Sequence, residues 1–224
     1  SGGVALNVVS MGRISNAGIF DKLWIQPAAG DSGSALGAAL WCWHNTLDAN
    51  RTPCLPDSMK GSFLGPEIKL SDHRDDQFLN NCGAIWKDVE EDILKKEIAS
   101  LIADGKVVAI ARGKMEWGPR ALGNRSILGD ARSPYMQKHM NQKIKFRESF
   151  RPFAPMVLDE DANEYFDMSQ DSPYMLLASP VSESRRVAVS KDQNTLFGTD
   201  LLKVTRSEIP AVTHVDYSAR VQTI

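Results

Sequence analysis

The stretch ARGKMEWGPRALGNRSILGDAR, residues 111–132, carries four arginines and one lysine against two acidic residues, threaded with four glycines and a proline. A helix rejects that density of glycine, and a packed core rejects the charge. It continues directly from KVVAIA (106–111), which reads as a buried strand, and open α/β sheets place ligands at strand ends. Glycines there let backbone N–H groups approach an anion, and guanidinium forks bind phosphate oxygens in pairs. Strand, basic glycine-rich turn and following helix together predict an α/β (α+β) fold with an anion site beside the strand.

The charge pattern extends this reading on both sides. From Lys106 to Arg151 there are eleven basic residues against three acids (Glu116, Asp130 and Glu148), whereas the rest of the chain holds fifteen basic and twenty-five acidic residues. Segregation of this kind points to an anion site or a nucleic-acid face rather than a generally basic protein. Downstream, KIKFRESFRPFAP (143–155) places Lys143, Lys145, Arg147 and Arg151 within nine residues. If that segment is extended, all four point to one face and line a single groove. Three acids cannot neutralise eleven bases. Arg112 and Arg132 are read as the structural arginines, and the others are expected to hold phosphate.

Length and composition bound the alternatives. At 224 residues, 42% of them hydrophobic, the chain suits one or two ordinary globular domains. No apolar run approaches the roughly 20 residues of a membrane helix, and the first residues lack a signal-peptide pattern. The three cysteines (Cys42, Cys54 and Cys82) have no CxxC spacing and read as reduced thiols, so a cytoplasmic location is expected. There is no GxxxxGK[ST], HExxH or GxSxG, and the histidines at 44, 73, 139 and 214 are scattered. A Walker-type phosphate loop, a self-contained zinc site and a nucleophile elbow are therefore not expected.

The remaining elements are read from pattern. Val4 to Val9 and KLWIQP (22–27) look like strands, and Gly30–Asp31 like a turn. Ser32 then caps a helix rich in small residues, which lets it approach a neighbouring backbone. About fifty residues cannot bury a core alone, so residues 1–50 are expected to end a larger α/β domain, with both chain ends cut. Residues 51–86, broken by prolines and glycines, read as a linker. KDVEEDILKKEIASLIADGK (87–106) is the clearest helix, with Asp88 as N-cap, Glu91 completing a capping box, an apolar stripe through Ile93, Ile98 and Ile102, and Gly105 as the stop. A helix from Ser133 follows, with Met136, Met140 and Ile144 as a core stripe; FRPFAPMVL, YMLLASP and ARVQTI read as strands.

The segments SGGVALNVV, FDKLWIQPAAGDSGSALGAAL, GKMEWGPRALGNRSIL, NQKIKFRESFRPFAPMVL and PAVTHVDYSARVQT, in that order, resemble the carbamoyltransferases of the NodU/CmcH type. The resemblance implies an actin-like ATPase-type domain, ending here in residues 1–50, joined through 51–86 to a YrdC-like domain with a twisted mixed sheet and flanking helices from residue 87 to 224. It implies an enzyme that forms carbamoyl adenylate from carbamoyl phosphate and ATP, and passes the carbamoyl group to a hydroxyl of a small-molecule or sugar acceptor. By the same resemblance Lys145, Arg147 and Arg151 are catalytic, while Arg120, Arg125, Lys143, His214 and Arg220 bind substrate and phosphate. Gly2, Gly3 and Asn7 lie against a nucleotide, and Asp31 is a metal ligand. The implied cofactors are ATP with magnesium, and an iron-type divalent metal in the actin-like part. The family's histidine metal ligands lie upstream of residue 1 and a substrate-binding serine follows residue 224, so the chain alone is expected to bind phosphates without completing transfer. No membrane partner is expected, and a homodimer is compatible with this organisation. The rival reading is an RNA-binding module without catalysis, because Trp117, Phe146, Phe150 and Phe153 interleave aromatics with the cations. The acidic remainder of the chain argues against an extended polyanion.

Overall fold

Asn7 sets the start of the chain, and it does so as a helix cap. In the computed structural model, which describes residues 2–67, 76–190 and 192–224, its side-chain oxygen accepts from the Ser10 N–H at 3.1 Å. Helix α1 (Val8–Asn16) follows, preceded by a 3-10 turn over Gly3–Leu6. The strand expected from Val4 to Val9 is thus corrected to a turn and a helix. Valine favours strands only weakly, and an asparagine cap beside a packing partner outweighs it. The partner is a sheet strand: a Cβ on Gly12 would lie 1.9 Å from the carbonyl oxygen of Ala178. Only glycine allows that approach.

KLWIQP is not a strand either. Leu23 has both its backbone groups bonded by one side chain, the amide of Gln170, at 3.3 and 3.0 Å. An amide fork replaces the neighbouring strand. Helix α2 (Asp31–Trp41) begins two residues earlier than expected, with Gly30 rather than Ser32 at the cap position, and runs into a π-helical turn over Cys42–Thr46.

Part of the expected linker is packed into the body. Met59 and Ser62 are buried, and Asp57 accepts from the Tyr174 hydroxyl at 2.9 and 3.0 Å. The Gly65 N–H donates to Met115 O, Met115 N–H to Pro66 O and Trp117 N–H to Ser62 O, at 2.7–2.9 Å. Residues 59–66 therefore run beside the basic turn as a second edge. Residues 68–75, including His73, lie outside the described residues. Helix α3 covers Asp76–Asn81.

Helix α4 (Glu91–Ala103) forms as expected, but Glu90 is its N-cap and makes no side-chain cap bond, so the capping box from Asp88 is not built. Gly105 stops it, with its N–H on Ile102 O at 2.9 Å. The apolar stripe is only half covered: Ile98 and Ile102 are half-buried, whereas Ile93 is 59% exposed. Strand β1 (Val108–Ala111), expected to be buried, alternates between half-buried and exposed. It pairs antiparallel with β2 (Arg125–Leu128), Ala111 opposite Arg125.

The helix expected from Ser133 is short: α5 (Met136–His139) passes into a π-helical turn over Met140–Ile144. Met136 and Met140 are buried against Ala211, as a core stripe requires, whereas Ile144 is exposed. A second, mixed sheet holds β3 (Met156–Val157), β4 (Leu177–Pro180) and β5 (Ser218–Thr223) in the order β3-β5-β4, with β3 parallel and β4 antiparallel to the central β5. Between β3 and β4 lies the short helix α6 (Ala162–Tyr165). The alternation of β5 divides it cleanly: Ala219 and Val221 are fully buried with Phe166 and Val181, and Arg220 and Gln222 face the other way. The architecture is mixed α/β, as the sequence predicts.

Candidate functional site

The second face of β5 opens onto a cavity of about 800 Å³. Arg220 and Gln222 contribute from β5, β2 and the 119–125 turn from one side, and the 145–154 loop from the other. Among the described residues, seven cationic side chains line it: Arg112, Arg120, Arg125, Lys145, Arg147, Arg151 and Arg220. No Asp or Glu is among its described lining residues. Burial of like charges without acids is unfavourable, and an anion is what relieves it.

The turn carrying Arg120 and Arg125 is organised by one acid. Glu116 Oε1 accepts from the backbone N–H groups of Leu122, Asn124 and Arg125 at 2.9, 2.8 and 3.1 Å. Burial works to raise its pKa, but these backbone donors prevail and hold it below the usual carboxylate value. The turn also needs φ near +120° at Gly123, a region L side chains rarely adopt. Among the described residues Glu116 therefore pairs with the backbone and with no arginine. Asp130 and Glu148 do form ion pairs, with Arg132 and Arg151, at 2.9 and 3.0 Å.

The arginines divide by what they hold. Arg125 donates to the carbonyls of Arg112 and Asn124 through Nη1, at 2.5 and 2.8 Å, and to Gly113 O through Nη2 at 3.2 Å. It braces the β1–β2 end as well as lining the cavity. Arg112, read as structural, is a lining residue whose Nε makes a 3.4 Å contact to the Asn124 side chain; Arg132 is the structural one, paired at the surface with Asp130. Arg120 and Arg220 make no side-chain hydrogen bond or ion pair among the described residues. The Nε atom of each is buried without a partner among the described residues. Burial lowers the pKa of Arg120. Burial, then the charges of Arg120 and Arg147, push Arg220 down to about 10.

The 143–151 segment is not extended. Lys143 lies on the π-helical turn, Lys145 is helical in backbone, and Phe146 has φ of +47°. The chain wraps, so the expected single face is lost, and Lys143 is exposed and not a lining residue. Lys145, Arg147 and Arg151 nevertheless converge on the cavity. The residue behind that convergence was missed in the sequence: Asn141, fully buried, accepts from Arg147 Nε at 2.6 Å and donates to the carbonyls of Arg151 and Ser149 at 2.8 and 3.2 Å. Phe153 lies under the Arg147 guanidinium, 5.0 Å from ring centroid to carbon.

His214 does not line the cavity. Ser218 Oγ donates to Asp216 at 2.7 Å, so Nδ1 of His214 donates to Ser218 Oγ at 3.0 Å and Nε2 is left as a buried lone pair. Burial lowers its pKa, with Asp216 opposing and the Arg220 charge adding to the shift. Gly2, Gly3 and Asn7 are exposed and do not line the cavity; Asn7 is committed to its helix cap. Asp31 is exposed at the first turn of α2. Among the described residues no three of His, Cys, Asp or Glu gather as a metal site. Asp31 stands there as a single carboxylate.

Residues 99–224 match the family model described as the carbamoyltransferase C-terminus, and residues 1–40 match the carbamoyltransferase N-terminus. The chain belongs to the carbamoyltransferase family. Over its whole length it is 48% identical to the uncharacterized protein sll1178 of Synechocystis sp. and 40% identical to the nodulation protein NolNO of Sinorhizobium fredii. It is 35% identical to the nodulation protein U of Rhizobium tropici. The match covers 36%, 30% and 32% of those proteins, so the carbamoyltransferase chain spans about a third of its relatives' length. Among the described residues no helix is long and apolar enough to cross a membrane.

Proposed function

We propose that the arginine-lined cavity is the phosphate pocket of an ATP-dependent O-carbamoyltransferase, where carbamoyl phosphate and ATP meet and carbamoyl adenylate forms. The observation that carries the reading is the pair Arg120 and Arg220, half-buried, each with a buried Nε that finds no partner among the described residues, in a cavity with no Asp or Glu among its described lining residues. Two phosphorylated substrates repel one another, and fixed guanidinium groups offset that repulsion and the charge that develops on the two leaving groups, the phosphate of carbamoyl phosphate and the pyrophosphate of ATP. Positioning supplies much of the remaining rate, and no side-chain nucleophile is required. Lys145, Arg147 and Arg151 serve the reacting phosphates, and Arg120, Arg125 and Arg220 the surrounding oxygens. The acceptor is a hydroxyl of a small molecule or sugar, and transfer to it is completed by parts of the longer protein outside this chain.

The test is equilibrium binding to the full chain. ATP and carbamoyl phosphate should bind, and Lys145→Ala with Arg147→Ala should weaken both by about tenfold or more, as expected for charge-assisted hydrogen bonds. Unchanged binding in the double variant overturns the assignment. One observation favours the RNA-binding reading: Phe146 is 85% and Phe150 53% exposed between the cations, available for stacking. Titration with a long single-stranded RNA at several salt concentrations separates the two. A steep fall in affinity with salt supports an extended phosphate track, and a shallow one supports the compact pocket.

A further inference from the structure

Three of the cavity's cations stand on residues 145–151, which form neither helix nor strand. Such a segment has no ladder of backbone bonds to hold it, yet its side chains must keep their aim for an anion to gain from them. The bonds that hold it converge on one buried side chain. Asn141 accepts from Arg147 Nε at 2.6 Å, and its amide nitrogen donates to Arg151 O at 2.8 Å and Ser149 O at 3.2 Å. Its own carbonyl accepts the Arg147 N–H at 3.0 Å.

We propose that Asn141 is a positioning residue for anion binding in the cavity, acting through Arg147. The proposal rests on the phosphate-pocket reading above. With Nε clamped by Asn141 and the guanidinium face laid on Phe153, the Arg147 plane cannot rotate about its long side chain, and its two Nη groups carry no other bond among the described residues. They remain free for the cavity that Arg147 lines. Asparagine is the side chain this place demands. Aspartate keeps the acceptor but lacks the two donors, and its charge would compete with a bound anion for Arg147; leucine offers neither. Glutamine is one methylene too long for a fully enclosed site.

A double-mutant cycle separates positioning from mere structural support. ATP and inorganic phosphate are titrated calorimetrically into the full chain at fixed salt, for Asn141→Ala, Arg147→Ala and the pair together. Each single variant should weaken binding about tenfold, and the pair should be no weaker than Arg147→Ala by more than about twofold, the signature of strong coupling. Unfolding midpoints report the structural cost separately. If Asn141→Ala does not fold, Asn141→Asp takes its place in the same cycle, and the Arg147 Nε–H resonance, shifted by its hydrogen bond, reports whether the clamp persists. Undiminished binding in the Asn141 variant overturns the inference, and so do losses that multiply independently. If Arg147→Ala itself binds phosphate normally, the pocket reading fails and the inference falls with it. If Arg147→Ala weakens binding but Asn141 does not couple to it, only the inference falls.

Discussion

Arg220 shows how a residue can be placed for a ligand at the expense of the empty protein. It stands on the central strand β5, largely desolvated, with the charges of Arg120 and Arg147 near it and its Nε unbonded among the described residues. A base whose pKa is lowered on folding binds fewer protons folded than unfolded between its folded value, about 10 here, and its higher ordinary value. Stability therefore rises with pH across that window, and the charge is unfavourable everywhere below it, including at neutral pH. Replacing Arg220 with methionine, which keeps the length and loses the charge, should raise the melting temperature of the unliganded protein, by the equivalent of about 1–2 kcal/mol. The same change should weaken phosphate binding about tenfold or more. Thermal melts with and without phosphate check both signs at once; a variant that is less stable yet binds as before would mean that Arg220 is structural.

At the scale of elements, the basic turn was legible and the devices holding it were not. Glycines and arginines at 111–132 announce a charged turn beside a strand, and β1, the turn and β2 are there. Helix α1 was hidden because it meets β4 through Gly12 and Ser169 through Ser15, small residues chosen for close approach, so the apolar period that betrays a helix is missing. The 143–151 wrap was hidden for another reason. Alternate cations suggest an extended strand, while the turn is set by side-chain bonds from Asn141, six to ten residues away, which no periodicity encodes. Glu116 was visible as an acid among bases, but its three backbone partners were not. Its lowered pKa gives a test. The stabilisation is complete above the ordinary carboxylate value of 4.5 and is lost as the pH falls through the depressed folded value. Glu116→Gln should be less stable at neutral pH, and should lose less stability than the unsubstituted protein on acidification from about pH 6 to pH 3. Chemical unfolding across that range measures the difference; parallel pH curves would remove Glu116 as the organiser of the turn.

At the scale of the molecule, the segregation of charge along the chain becomes a cavity, because β5 brings Arg220 to loops roughly seventy to a hundred residues earlier in sequence. That long-range closure was not readable locally. The joining of the N-terminal residues to the sheet was no more so. One core cluster combines Ala5, Ile25, Ala29 and Met59 with Leu122 and residues 174–177, so residues matching the N-terminal family model share a core with those matching the C-terminal one. The seam is α1 against β4, where the Gly12 position meets the Ala178 carbonyl, and it is bonded further along by the Ser15 and Ser169 hydroxyls at 2.8 Å. Backbone cannot yield as a flexible side chain does, so Gly12→Ala must push the helix off the strand. The favourable effect of alanine within a helix is about 1 kcal/mol, smaller than the overpacking and lost core contacts it provokes. The variant should therefore lose about 1–3 kcal/mol of unfolding free energy in spite of its better helix propensity. Gly37→Ala, on α2 where a Cβ meets nothing within 4 Å, should be neutral or stabilising by up to about 1 kcal/mol. Denaturant titration of the pair decides the matter. Equal responses at the two glycines would separate α1 from β4 and leave the N-terminal residues without the seam that ties them to the cavity's sheet.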